Sequence, residues 1–331
     1  MRVDLLKRLI FSRPAKQFNA WCLMLSYYLK LPKVWGKPIR LMIEPANICN
    51  LRCPTCPVGN GSIKKNKHLM TFNEFKKIVD EVGPYLYHIT LWNWGEPFLN
   101  MDLSKMIKYA HSKGIFVVTS TNGHFFNDKV AADLIDSGLD ELIIAVDGLS
   151  QETLSQYRIG ANLASVIAGI KKITKMKKDL KKNKPIIELQ FIVMKHNEHE
   201  LIKLNDFGRE LAVDKVIAKS FGSHLDITKL KEFEPENKNH SRYKKNINKK
   251  NICQNVWLGI NINSDGNVVP CCYDPFETNL IGNVWQDGGI NLIWNSDKMI
   301  NFRQKIIKNK NSIKICQNCD FNNDISRKKS I

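Results

Sequence analysis

The sequence RLMIEPANICNLRCPTC, residues 40–56, joins an apolar stretch to three cysteines. Its first five residues predict a strand, and Cys49, Cys53 and Cys56 follow in the loop, four and three residues apart. Thiolates are the ligands that iron–sulfur clusters require, and three ligands for four irons leave one iron open to bind a small molecule. A tetrahedral zinc site would need a fourth ligand, and the candidate His68 lies twelve residues further on. We therefore expect an iron–sulfur cluster in this loop.

Apolar strands and amphipathic helices alternate about six times after this loop. The further predicted strands span 88–92, 115–120, 141–146, 186–194 and 216–218. Helices are predicted from Thr71 onward and over 103–111, 130–137, 164–177 and 200–212. Nearly continuous apolar strands are typical of a parallel sheet that is covered on both faces. We predict an α/β fold, a partial (β/α)6 barrel of parallel strands with outer helices, because six repeats fall short of the eight of a full barrel.

A second set of cysteines predicts a small cysteine-rich domain at the C-terminal end. The set comprises Cys253, Cys271, Cys316 and Cys319. A hairpin turn at Asp265-Gly266 would bring the first two toward each other, and four thiolates complete the ligand shell of a metal centre. A second iron–sulfur cluster and a structural zinc ribbon both fit this pattern. Cys272, next to Cys271, is an alternative ligand.

The chain divides into four predicted segments. Residues 1–38 form a basic amphipathic helical segment, residues 39–222 the barrel, residues 223–250 a polar basic linker or insertion, and residues 251–331 the cysteine-rich domain. The first segment either packs on the outside of the barrel or lies on a membrane surface through residues 1–30.

Charge and composition narrow the function classes. Lysine and arginine number 50 against 32 acidic residues, a net charge of +18, which fits either an anionic partner or a general bias toward lysine. No stripe of interleaved aromatic and basic residues marks a nucleic-acid face, so we do not expect nucleic acid as a partner. We find no signal-peptide pattern, and the apolar run 20–29 is too short to span a bilayer. We expect a cytoplasmic protein, with membrane association left open, whose nine cysteines serve mainly as metal ligands rather than disulfides.

The three-cysteine loop resembles the signature of the radical S-adenosylmethionine (radical SAM) superfamily, and its position after the first strand matches as well. Trp94-Gly95-Glu96-Pro97 is similar to the Gly-Gly-Glu motif of that family, which receives the methionine amino group. Trp94 stands where the first glycine is usual. The resemblance implies cofactor contacts from Gly95 and Glu96.

The same resemblance implies further cofactor contacts at later strand ends. Ser120 and Asn122 lie in Ser-Thr-Asn-Gly, where the family places polar residues that face the cofactor. Asp147 lies in Ala-Val-Asp-Gly, which is similar to a Ser-x-Asp-Gly motif with Ala145 in place of the serine. Arg158 occupies a segment whose arginine pairs with the cofactor carboxylate in related enzymes, and its fork of donors suits a carboxylate.

The second cysteine set resembles the auxiliary-cluster domain called SPASM, or its shorter twitch form. The resemblance covers about residues 39–220 and 250–320. It implies three cofactors: a 4Fe–4S cluster on Cys49, Cys53 and Cys56, S-adenosylmethionine, and one auxiliary 4Fe–4S cluster on the four later cysteines.

The resemblance implies reductive cleavage of S-adenosylmethionine to a 5′-deoxyadenosyl radical that abstracts a substrate hydrogen. A fully ligated auxiliary cluster would then accept an electron, and the outcome would be a two-electron oxidation of a sugar, cyclitol or other small polar metabolite. The single-cluster layout looks most like aminocyclitol dehydrogenases. A peptide- or protein-modifying maturase is the first alternative, and a non-catalytic zinc- or cluster-binding protein the second. A reductant such as flavodoxin or ferredoxin is the implied protein partner.

Overall fold

A computed structural model describes residues 12–222, 231–241, 252–317 and 319. Its centre is a nine-stranded sheet with the spatial order β6-β5-β4-β3-β2-β1-β7-β8-β9. The strands are β1 (Arg40–Ile43), β2 (His88–Leu91), β3 (Phe116–Thr121), β4 (Glu141–Ala145), β5 (Ile186–Val193), β6 (Lys215–Ser220), β7 (Gly259–Ile262), β8 (Asn267–Val269) and β9 (Gly282–Asn283). Strands β1 to β6 are parallel neighbours, so the predicted α/β partial barrel is confirmed.

Helices follow the strands as the sequence predicts. They are α1 (Pro14–Tyr28), α2 (Phe72–Val82), α3 (Leu103–Ser112), α4 (Asp128–Asp136), α5 (Gln151–Tyr157), α6 (Leu163–Asp179), α7 (Leu204–Glu210), α8 (Asn255–Leu258), α9 (Ile290–Ile293), α10 (Asp297–Asn309) and α11 (Lys314–Gln317). Short 3-10 turns cover 83–85, 97–99, 198–203 and 310–312. The helix predicted over 200–212 therefore begins as a 3-10 turn, and α5 has no counterpart among the predicted helices.

Local signals in the sequence explain where several helices begin. The Thr71 hydroxyl accepts the backbone N–H of Glu74, and the Glu74 carboxylate accepts the backbone N–H of Thr71, so both partners of a capping box are present. Asn127, Ser150 and Asn162 cap α4, α5 and α6 in the same way, each accepting an N–H three residues further on. These caps fix the helix starts just after the loops that carry the predicted site residues.

Along each strand, successive side chains point alternately toward the covering helices and into the barrel lumen. Leu189, Phe191 and Val193 of β5 are fully buried beneath the helices. Glu188 and Gln190 alternate with them and therefore face the lumen. The lumen is thus more polar than the outer layer of the sheet.

Strand β7 extends the barrel sheet, which no pattern in the sequence indicates. It pairs with β1 in parallel, with Arg40 opposite Gly259 and Ile43 opposite Ile262. The predicted hairpin of β7 and β8 is antiparallel and turns at Gly266, whose φ of +85° suits glycine. A Cβ on Gly259 would lie 2.7 Å from the Arg40 carbonyl oxygen, so glycine permits the close approach of β7 to β1. The cysteine-rich domain therefore begins as a continuation of the barrel.

The segment between barrel and hairpin is described only over residues 231–241. Phe233 is buried there and packs against Tyr157, Phe221 and His196. The rest of the predicted linker, residues 223–230 and 242–250, lies outside the described residues, as do residues 1–11 of the N-terminal segment. Within the described part of the chain, no helix has the length and apolar character needed to cross a membrane.

Candidate active site at the carboxyl ends of the strands

The three cysteines of residues 49–56 lie at the carboxyl end of β1. Leu51 N–H points at the Cys49 sulfur from 3.4 Å, and the Cys56 thiol points at the Trp94 carbonyl oxygen from 3.7 Å. Burial raises the pKa of all three thiols, to about 11 for Cys53, whereas the charge of Arg158 lowers all three. Buried thiols of this kind need a positive centre to become thiolates.

This donor set fits the cluster that the sequence predicts. All three cysteines are free thiols, and sulfur ligands with nearby N–H donors are the usual surroundings of iron–sulfur clusters. Among the described residues, no three His, Cys, Asp or Glu side chains converge closely enough to hold a single metal ion. The three thiolates of a four-iron cluster can lie further apart than the ligands of a single metal ion, because each thiolate binds a different iron.

Gly95 allows the loop after β2 to lie directly against the cysteine loop. A Cβ at this position would lie 1.9 Å from the Ala46 carbonyl oxygen. The next residue, Glu96, donates its backbone N–H to the Ile48 carbonyl oxygen at 2.8 Å. Any side chain at position 95 would push these two loops apart.

The Glu96 carboxylate is buried and accepts three protein hydrogen bonds. They come from the Thr121 hydroxyl at 2.8 Å, Asn122 N–H at 2.9 Å and Phe98 N–H at 3.1 Å. Burial raises the pKa of Glu96, and the hydrogen bonds oppose that rise. Glu96 thus ties the end of β3 to the loop after β2.

Asn122 lies beside the first cysteine. Its Nδ2 donates to Asn50 Oδ1 at 2.7 Å and lies 3.9 Å from the Cys49 sulfur. His124 orients it, because His124 Nε2 accepts the Asn162 backbone N–H at 2.9 Å and Nδ1–H therefore donates to Asn122 Oδ1 at 2.8 Å. Burial lowers the pKa of His124, which favours this neutral form. His124 directly follows the Ser-Thr-Asn-Gly motif, but no pattern in the sequence marks it as a site residue.

Asp147 and Arg158 form an ion pair with a distance of 2.6 Å from Arg158 Nε to Asp147 Oδ2. Asp147 is fully buried, and its other carboxylate oxygen accepts Ile192 N–H at 2.8 Å. Both oxygens of Asp147 are therefore bound by the protein, and its role in this arrangement is to orient Arg158. Arg158 also lines a cleft together with Leu51, Asn122 and Ala145.

Ser120 and the polar residues of β5 lie deeper in the lumen. Ser120 alternates with the buried Thr119 and Thr121, so it faces inward, opposite Ile143 in the sheet register. Burial and the neighbouring Glu141 raise the pKa of Glu188 to about 7, while Lys219 and Lys215 oppose that rise. Carboxyl, hydroxyl and ammonium groups therefore share the interior of the barrel.

The four later cysteines come together although they are far apart in sequence. After burial, the charges of Cys271, Cys319 and Cys253 raise the pKa of the Cys316 thiol to about 12. Among these cysteines, Cys271 has the largest effect on Cys316. Tyr273 N–H points at the Cys271 sulfur from 3.4 Å. The arrangement favours Cys271 over Cys272 as the fourth ligand.

Trp94 connects the two groups of cysteines. Its indole Nε1–H donates to the Cys272 carbonyl oxygen at 3.0 Å, and its own carbonyl oxygen faces the Cys56 thiol. Lys65 adds an ion pair with Glu277 of the cysteine-rich domain. In the sequence Trp94 stands out only as a departure from the family motif, because the motif gives no information on what the indole contacts.

Two family models match this chain. The radical SAM superfamily model covers residues 43–207, and the SPASM model, an iron–sulfur cluster-binding domain, covers residues 253–320. A probable GTP 3′,8-cyclase of Methanococcus maripaludis strain C5 is 27% identical over 62% of this chain and 62% of its own length. The tungsten-containing aldehyde ferredoxin oxidoreductase cofactor-modifying protein of Pyrococcus furiosus is 28% identical over 54% of this chain and 51% of its own length. The chain thus spans between half and two thirds of these relatives.

Solved structures share the fold at low identity. BtrN in complex with AdoMet and 2-DOIA has a TM-score of 0.54 at 19% identity, over 85% of this chain and 92% of BtrN. Streptococcus suis SuiB bound to S-adenosylmethionine has a TM-score of 0.64 at 15% identity, over 84% of this chain and 70% of SuiB. The family implies a 4Fe–4S cluster and S-adenosylmethionine as cofactors, and the SPASM domain implies auxiliary iron–sulfur chemistry. The chain therefore belongs to the radical SAM superfamily and carries a C-terminal SPASM domain.

Proposed function

We propose that this radical SAM enzyme completes a two-electron oxidation of a sugar, cyclitol or similar small polar metabolite. The observation that carries the proposal is the polar lumen, in which Glu188 shares the barrel interior with Ser120, Gln190 and Lys219. Hydroxyl and amino groups of such a substrate can form hydrogen bonds with Ser120 and Gln190, whereas an apolar substrate has no donors or acceptors to offer these side chains.

The cofactors have assigned places in this proposal. Cys49, Cys53 and Cys56 hold the cluster that binds S-adenosylmethionine, and Cys253, Cys271, Cys316 and Cys319 hold one auxiliary cluster. When bound, these groups would supply the abstraction of a hydrogen atom from the substrate and an acceptor for the remaining electron. A one-electron reductant such as flavodoxin or ferredoxin supplies the first electron.

The strand-end residues position S-adenosylmethionine. Arg158, oriented by Asp147, pairs with its carboxylate. Asn122 lies within reach of the same group because it is beside Cys49. Gly95 and Glu96 shape the backbone that receives its amino group, and Ser120 faces the lumen next to them.

Glu188 serves as the proton acceptor. Oxidation of an alcohol to a carbonyl releases one hydrogen atom from carbon, one proton from oxygen and one electron. A carboxyl group with a pKa of about 7 can take that proton near neutral pH. The expected rate rises as pH increases through about 7, because only the carboxylate form accepts a proton.

The two similar solved structures contain different classes of bound molecule. BtrN was solved with 2-DOIA and SuiB with its precursor peptide SuiA. A peptide is therefore the alternative substrate class, and the test includes both.

The test uses anaerobically reconstituted enzyme with dithionite, S-adenosylmethionine and a panel of aminocyclitols, sugars and short peptides. Mass spectrometry follows 5′-deoxyadenosine and a product that has lost two hydrogens. Glu188→Gln should retain cofactor cleavage and reduce product formation by roughly 10²- to 10⁴-fold. The control is Glu210→Gln at an exposed site on α7.

Three results would contradict the proposal. Oxidation of a peptide and none of the small metabolites would assign the enzyme to the alternative class. A Glu188→Gln variant with an unchanged rate and pH profile would remove Glu188 as the proton acceptor. Zinc in place of iron in the purified protein would remove the radical chemistry altogether.

A further inference from the structure

Helix α1 presents an apolar face to solvent. Its inner side is buried, with Ala20 and Leu23 in the protein core. Its outer side exposes Phe18, Trp21 and Tyr28, which are 65%, 60% and 71% accessible, and Leu29 follows at 54%. An ordinary surface helix carries polar residues on its outer side. Residues 17–29 contain no charged residue.

Exposed aromatic side chains concentrate in this one region. Thirteen large hydrophobic side chains are exposed among the described residues, and five of them lie within residues 18–35. Four of those five are aromatic: Phe18, Trp21, Tyr28 and Trp35. Phe276 is the other exposed aromatic in the described part of the chain. Phe18 stacks on Trp21, and exposed apolar surface that is concentrated in this way marks a site of contact with a partner or a membrane.

Charge in the same region identifies the kind of partner. Residues 5–43 contain no acidic residue but eight lysines and arginines. Arg13, Lys30 and Lys33 are exposed next to the aromatic side chains in sequence. Tryptophan and tyrosine favour the headgroup level of a bilayer, and lysine and arginine are attracted to anionic lipids. A helix with this combination lies in the plane of the membrane surface.

We propose that the outer face of α1, with Trp35, docks the enzyme onto an anionic lipid surface. The helix has 15 residues and is fixed to the barrel along its inner side, so it contacts the surface without crossing it.

The position of α1 sets the orientation of the docked enzyme. Tyr27 of α1 packs edge-on against Trp257 just before β7, and Ser12 is hydrogen-bonded to Tyr87 just before β2. Both contacts lie at the amino ends of the strands. The cysteine loop lies at the carboxyl ends, so docking through α1 leaves the cluster entrance away from the lipid and open to a reductant.

Sedimentation with vesicles tests the proposal on the full-length, cluster-loaded enzyme. We expect binding to vesicles of phosphatidylcholine and phosphatidylglycerol, little binding to phosphatidylcholine alone, and weaker binding as salt increases. The variant Phe18→Ser/Trp21→Ser/Tyr28→Ser should weaken binding by roughly tenfold or more. The matched control Met101→Ser/Ile202→Ser/Leu292→Ser changes three side chains that are 84%, 84% and 66% accessible elsewhere, and it should bind as wild type does.

A second variant keeps the test decisive if the triple serine variant loses iron or fails to fold. Lys30→Glu/Lys33→Glu should also weaken binding by roughly tenfold, because each lysine near an anionic surface contributes to the attraction. Failure of the wild type to bind anionic vesicles would overturn the proposal. So would equal loss of binding in the control, or a wild-type dimer in light scattering that the α1 variant converts to monomer, because a second copy would then cover this face.

Discussion

The two groups of cysteines differ in how the chain assembles them. Cys49, Cys53 and Cys56 lie within eight residues of one loop, and the end of β1 fixes that loop. The later four combine residues before β7, after β8 and near α11, so their meeting depends on the packing of the whole domain. In both groups burial is the main cause of the raised thiol pKa, about 11 for Cys53 and about 12 for Cys316, and a cation opposes the rise, Arg158 in the first group and Lys310 in the second. We infer that the first group serves cofactor chemistry and that the second depends more on its metal for folding.

The largest effect should come from removing the first group. The variant Cys49→Ala/Cys53→Ala/Cys56→Ala should lose 5′-deoxyadenosine formation entirely and reduce iron from about eight to about four per chain. Its thermal midpoint should change little, because the loop is anchored by the barrel. Iron and sulfide assays with differential scanning calorimetry measure both quantities. A midpoint that falls as far as in the next variant would remove the contrast between the two groups.

Removing part of the second group should have the opposite result for cofactor cleavage and stability: cleavage is retained and stability falls. Cys316→Ala/Cys319→Ala should also leave about four irons and should retain cleavage of S-adenosylmethionine without completed substrate oxidation. Since metal binding contributes to folding, its thermal midpoint should fall by more than about 4 °C. Cys272→Ala is the control and should keep both clusters. Loss of iron in that control would assign Cys272 as a ligand in place of Cys271.

Breaking the Asp147–Arg158 ion pair beside the first group should have the next largest effect. Asp147→Ala leaves the Arg158 guanidinium without its buried partner, and such losses cost about 3–5 kcal/mol of the free energy of unfolding. Urea unfolding measures this cost, and isothermal titration measures the affinity for S-adenosylmethionine, which should fall. If the affinity is unchanged in the folded variant, Asp147 does not orient Arg158 for the cofactor.

The link between the two groups should have a smaller effect. Trp94→Phe keeps an aromatic ring but removes the hydrogen bond to the Cys272 carbonyl oxygen, worth about 0.5–1.5 kcal/mol. We expect a small stability loss and an altered electron paramagnetic resonance signal of the auxiliary cluster, because that peptide lies next to a ligand. Trp285→Phe is the control, since its indole N–H is buried without a hydrogen-bond partner among the described residues. Identical spectra for both variants would show that Trp94 does not connect the groups.

The smallest effect should be a pH dependence at the first group. Burial lowers the pKa of His124 below its ordinary value of 6.5. The stability that neutral His124 contributes is therefore complete above pH 6.5 and is lost as pH falls toward the folded-state pKa. Affinity for S-adenosylmethionine should decline over the same range, because the charged ring cannot accept the Asn162 N–H. His124→Gln should remove most of this decline in affinity at low pH. If the decline is unchanged in the variant, another group causes it.

The sequence by itself determined the features that depend on local patterns. The spacing of Cys49, Cys53 and Cys56 predicted the cluster loop, the apolar strands predicted the parallel sheet, and Thr71 with Glu74 predicted a helix start that is confirmed. Each of these is encoded within a few consecutive residues, where spacing and capping act directly.

Only the tertiary structure decided how distant elements meet. The pairing of β7 with β1, the contact of Trp94 with Cys272 and the hydrogen bond from Asn162 N–H to His124 all join residues far apart in the chain. The side of α1 that stays exposed is likewise decided by how the helix packs on the barrel. Such contacts follow from packing and register, which depend on the whole fold. The sequence could therefore name most residues of the candidate site, while their partners, burial and charge states required the folded molecule.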